Sequence, residues 1–216
     1  TPTELARAFK AAVDRQDAAA LTRLAKTYHQ LYLRLTPKLD SLLLAMSNLE
    51  SPTKGQVFRL SQYKNLINSL ESELIKYSAY VEVEIRNNAM TSVEMAVKQT
   101  EAFLKAAGYS TPQSLPTNAI YNMLGFLQED SPLWKRISQL APYHAQEVGN
   151  ALLEGVAFGY NPAKTARMFE NVMGGGLTDA MRMTRTSQLY ANREASRAMY
   201  IANSDVISGW MWWSAQ

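Results

Sequence analysis

The chain offers few residues that could do covalent chemistry. It has two histidines, His29 and His144, and no cysteine. Thiolate zinc sites, disulfides and cysteine nucleophiles are therefore excluded within these residues. His144 and Glu147 stand three apart, a spacing that puts both on one helical face. One such pair is commonplace, and neither histidine has the further ligands that a metal site needs. Both read as surface or capping histidines. Glu82 and Glu84 are two apart, so on a helix they point in different directions and make no general acid/base pair. Gly174-Gly175-Gly176 precedes a helical pattern but lacks the Lys-Ser/Thr of a phosphate loop and the spacing of a dinucleotide fingerprint. It reads as a flexible joint. Gly155 and Gly159 fit a small-xxx-small pattern for close helix packing. No Gly-x-Ser-x-Gly elbow occurs. No catalytic, cofactor-binding or metal-binding residue is assigned, and the chain reads as a non-enzyme that needs no cofactor.

Binding chemistry is better represented. Thr178 is placed to cap a helix running to about Asn203. At the helical turn per residue, Arg182, Arg185, Arg193 and Arg197 fall within an arc of about 120°. The opposite side carries Ala180, Thr184, Ala191, Ala195, Ala198 and Ala202, small residues that admit a close neighbour. The cationic stripe suits DNA phosphate or an acidic protein surface, or else it is a solvated face paired to nearby carboxylates. Nothing in it reads base sequence.

Helical elements must position these residues, and helical periodicity dominates the chain. The pattern predicts a short helix over 3–16 and a second one capped by Asp17. The second carries the seam Leu21, Leu24, Tyr28, Leu31 and Leu35 and is kinked or split at Pro37. A break is expected at Ser51-Pro52. Residues 54–107 then read as one helix of roughly 75–80 Å. Leu60, Ile67, Leu74 and Val81 recur every seven residues along it, with Tyr63, Leu70 and Tyr77 between them. Such a seam is a helical interface that faces a partner or packs within the chain. Gly108 to Pro116 reads as a linker. Shorter helices follow over about 117–128, from Ser131-Pro132, from near Pro142 to Phe158, and from Asn161-Pro162 to the glycine triplet. Asp205 to Trp213 is β-branched and aromatic and reads as one strand.

The 216 residues carry 22 basic and 19 acidic side chains, a net charge of +3, and 47% are hydrophobic. That composition excludes wholesale disorder and low complexity. Charge is uneven: residues 181–203 hold four arginines and one glutamate. No apolar run reaches the length of a membrane span, so no membrane partner is expected. The final strand would be an exposed edge if the chain stopped there. It is therefore expected to enter a small sheet beyond Gln216, in a longer product.

The last third, roughly 140–216, resembles the phage head morphogenesis family, the Mu F-like minor head proteins. The resemblance rests on an ordered series. Asn161-Pro162 opens a helix after Gly159. A glycine-rich joint follows at 174–176, then an alanine-rich helix with Arg185-Thr186, Asn192, Ala195 and Tyr200. The tryptophan segment with Trp210 and Trp212 comes last. Ser187 stands where the family usually has an acidic residue. The resemblance implies a minor virion component of the head, at or near the portal vertex, made in the host cytoplasm and without catalytic residues.

The expected fold is mainly α. Residues 1–110 form a long helical hairpin that binds portal or shell. Residues 111–216 form a compact module ending in the strand. The expected partners are the portal protein, with capsid or scaffold proteins, and non-specific double-stranded DNA; the chain could be oligomeric in the virion. Two alternatives remain open at this point: a DNA-binding or ejection protein using the basic face, and a delivery module for a longer toxin or enzyme.

Overall fold

The structure, a computed structural model, describes residues 2–125 and 131–207. Their elements are all helical: α1 (Pro2–Ser47), α2 (Lys54–Arg59), α3 (Ser61–Ala106), α4 (Thr117–Leu124), α5 (Pro132–Ala157) and α6 (Pro162–Ala202). The mainly α expectation holds. The expected terminal strand is not formed among the described residues: residues 203–206 are turns, and residues 208–216, with Trp210 and Trp212, lie outside them.

Four long helices make an up-down-up-down bundle. Gln16 meets Asn88, Arg23 meets Glu84 and Arg34 meets Glu73, so α1 and α3 are antiparallel. Tyr28 meets Met173 and Tyr32 meets Glu170, so α1 is also antiparallel to α6. Helix α5 faces α6 in the reverse direction, with His144 beside Asp179. Helices α3 and α6 thus run parallel across the centre, with α1 on one flank and α5 on the other. The larger core holds Leu24, Leu31, Leu35, Leu70, Leu74, Tyr77, Val81, Leu152 and Phe169, drawing on both sides of residue 110. Helix α5 is shorter than its neighbours. Beyond its end lies a second core of Ala89, Val93, Ala96, Ala191, Ala195 and Met199, closed by Ile120 and Leu124 of α4.

Helix boundaries depart from the sequence expectation in five places, and four of them are fusions. Helix α1 runs unbroken through Asp17 and Pro37. Asp17 is not a cap; it is buried and accepts a hydrogen bond from Arg185. Pro37 and Leu33, whose carbonyl the proline leaves without a donor, are exposed, so water can serve that carbonyl. Buried Leu35, Leu39 and Leu42 hold the helix on α3 from both sides of the proline. Pro142 lies inside α5 in the same way, one turn after exposed Ser138. The glycine triplet is not a joint, because α6 passes through it. The fifth departure is a break where none was expected. Leu60 is extended, with ψ 133°, and separates α2 from α3. The break lets Val57 enter the core while Thr53 and Gln56 close a capping box.

Other expected signals act as read. Ser131 and Asn161 cap α5 and α6, accepting hydrogen bonds from the amides of Trp134 and Lys164. Gly108 and Gly159 take positive φ just after helix ends. Asn203 exchanges two hydrogen bonds with the backbone of Gln113 and so pins the 107–116 connection to the end of α6.

Candidate functional site

The arginines of α6 project from the bundle while the small face is buried. Ala180, Thr184, Ala191 and Ala195 are fully buried against α3 and its neighbours. Arg182, Arg185, Arg193 and Arg197 are exposed. The stripe is not a bare cationic surface. Arg185 donates to Asp17 at 2.8 Å, Arg197 to Glu194 at 3.2 Å, and Arg182 lies 3.9 Å from Asp179. Thr186 is exposed beside Arg185. Much of the field that DNA phosphates would meet is thereby neutralised.

The heptad seam divides between core and surface. Leu74 and Val81 are fully buried, whereas Leu60 and Ile67 are half-buried at the rim of the larger core. The inner part of the seam is therefore spent within the chain. Its rim borders an open groove of about 950 Å³ between α3 and α5. Ile67, Ile75, Trp134 and Ala141 line it, with Glu71 and Glu82 along the α3 wall. Phe58 and Ile75 are more than half exposed there.

His144 is not a surface histidine. It is buried, with Nε2 3.3 Å from Asp179 Oδ2 and the ring edge-to-face with Tyr143. Its Nδ1 is buried without a hydrogen-bond partner among the described residues. The glycines of α6 make room for it. A Cβ on Gly176 would lie 2.9 Å from the Tyr28 hydroxyl and 3.3 Å from His144 Cδ2. Tyr28 uses the space to donate its hydroxyl to the Met173 carbonyl. Glycine permits close approach here rather than bending. A cavity of about 580 Å³ opens beside His144, lined by Arg136, Gln139, Asp179 and Arg182. Tyr143 lines it as well, and no group of three metal-ligating side chains occurs among the described residues. Gly155 plays a similar packing part, since a Cβ there would meet Thr165 at 3.0 Å.

Sequence reasoning missed a buried polar ladder across α1, α3 and α6. Gln16 donates to Asn88 Oδ1 at 2.7 Å and to Ser92 at 3.0 Å. Asn88 donates to Gln188 at 3.0 Å, and Gln188 donates to the Val13 carbonyl at 3.1 Å. One turn along, Glu84 accepts from Arg23 and from Tyr80. Glu82 instead meets Arg86 on the surface, so the two glutamates do diverge. The detectable signal was a polar residue at a seam position: Asn88 and Ser92 flank Ala89 within an otherwise apolar stripe. No family model matches the chain, and no curated protein or solved structure matches it.

Proposed function

We propose that this chain is a non-enzymatic structural component of a phage head, a minor head protein acting in assembly at or near the portal vertex. The observation that carries the reading is the ordered series of residues in the last third. Asn161 and Pro162 open α6 after the Gly159 turn, and Arg185-Thr186 stands on the exposed face of the same helix. The glycine triplet contributes to that series as sequence only, since it is helical. Two outward surfaces are available to partners: the α6 arginines and the α3/α5 groove.

Co-expression with the portal protein of the same phage tests this reading. The expected result is co-purification of the chain with portal rings. Removal of residues 17–107 is not a usable control, because α1 and α3 supply half of the larger core. Surface substitutions serve instead. If neither portal rings nor assembled heads retain the wild-type chain, the reading fails. DNA is the second candidate partner, favoured only by the exposure of the four arginines. Phosphate binding would weaken steeply with salt, and replacing the four arginines by alanine should abolish it.

A further inference from the structure

The α3 wall of the groove has a definite charge pattern. Glu71, Ile75, Ser78 and Glu82 follow one another at steps of four, three and four residues, and all four line the groove. At the helical turn they share an arc of about 60°. Carboxylates thus stand at both ends of a short strip whose apolar member is exposed Ile75, Ser78 being buried. The floor beside it is small, with Ala79, Ala141, Ala145 and Gly149, and no lysine or arginine lines the groove among the described residues.

The exposed face of α6 repeats those steps with the opposite charge. Arg182, Thr186, Leu189 and Arg193 are also spaced by four, three and four, and all are exposed. Eleven residues of helix span about 16 Å. The two arginines are therefore as far apart as the two glutamates, with an apolar side chain between each pair. Within one chain α6 turns its other face to α3 and α5, so these two surfaces cannot meet intramolecularly.

We propose that the Arg182–Arg193 face of α6 seats in the α3/α5 groove of a second copy of this chain. Leu189 packs against Ile75 and Ala79, and Arg182 and Arg193 reach Glu71 and Glu82. The charges now hold weak partners, Arg182 with Asp179 at 3.9 Å and Glu82 with Arg86 at 3.2 Å. The first is an exposed pair and the second a half-buried helical pair four residues apart, and both contribute little, so exchanging them costs little. The contact is heterologous. Each seated copy still offers its own groove, so association proceeds to a ring or a filament rather than stopping at two. The inference goes beyond the head-assembly reading and does not depend on it.

Sedimentation velocity on the chain alone, over a concentration series, tests the proposal. The wild-type mass should rise with concentration past that of a dimer, and less so at high salt. Glu71→Arg with Glu82→Arg, or Arg182→Glu with Arg193→Glu, should each give a monomer with unchanged helical circular dichroism. An equimolar mixture of those two variants should associate past a dimer again, because the arginine stripe of one fits the glutamate groove of the other and the glutamate stripe of the second fits the arginine groove of the first. The chain carrying all four reversals should associate again. Ile75→Ala should weaken association at least tenfold without changing charge. A wild-type chain that stays monomeric at every concentration would overturn the proposal. So would either charge variant associating as the wild type does, or a mixture that remains monomeric.

Discussion

Gly174 and Gly176 stand two residues apart in one helix and have opposite roles. Nothing lies within 4 Å of a Cβ on Gly174, so that glycine only weakens the helix. Gly174→Ala should stabilise the protein by about 0.5–1 kcal/mol. A Cβ on Gly176 meets the Tyr28 hydroxyl and the His144 ring, both themselves buried. Gly176→Ala should destabilise by about 1–3 kcal/mol, as overpacking does. Denaturant midpoints of the two variants, at unchanged slope, check the sign of each. The polar ladder allows a similar argument. Asn88→Ala removes the donor to the amide oxygen of buried Gln188 and should cost about 1–3 kcal/mol. The roles of the two glycines were not legible in the sequence. A glycine triplet carries the same letters whether it bends a chain or admits a tyrosine, and only the approach of α1 and α5 distinguishes the two.

At the scale of the element, seams and the caps at true helix ends were legible; interruptions were not, and the caps expected at Asp17 and Thr178 lie inside α1 and α6. Ser131, Asn161, Gly108 and Gly159 act through one or two neighbours along the chain, so local sequence suffices to find them. Proline and glycine inside a helix act against a sum of tertiary contacts that sequence does not display. Pro37 costs α1 a backbone hydrogen bond, but Leu35, Leu39 and Leu42 are all buried around it. Burying such side chains contributes roughly 1.5–3 kcal/mol each, enough to offset a proline penalty of about 3 kcal/mol. Pro37→Ala should therefore leave the bundle intact and raise its stability by about 1–3 kcal/mol, read as a shift in thermal midpoint. The converse failure is Leu60, where α3 begins without proline or glycine. Its extended backbone follows from the need of Val57 to reach the core. The arginine stripe was legible as a face of α6. Its pairing with Asp17, 168 residues away in sequence, was not.

The whole molecule responds to pH through its tyrosines and one glutamate. Burial raises the hydroxyls of Tyr28 and Tyr77, which pack edge-to-face at 4.8 Å. Tyr32 is pushed up to about 12, by burial first and by Glu170 second. The folded chain holds these protons more tightly than the unfolded one. Their contribution is intact below the ordinary tyrosine range, near 10, and is lost as pH rises through the folded values. Glu73 has the opposite sign. Lys76 and then Arg34 hold its carboxyl below the usual range, against desolvation, so its contribution is present above that range and is lost as pH falls through the folded value. Helical circular dichroism should persist through neutral pH and collapse in alkali together with the rise of tyrosinate absorbance. Full tyrosinate absorbance from all eleven tyrosines near pH 10, in a still-helical chain, would contradict the burial. The bundle's order of connection has a temporal consequence as well. Helix α6 supplies side chains to both cores and accepts or donates bonds across the ladder, yet it is the last of the four to leave a ribosome. Until then Val93 and the Asn88 side-chain amide group lack their α6 partners. A chain that has not yet completed α6 is therefore a sticky intermediate.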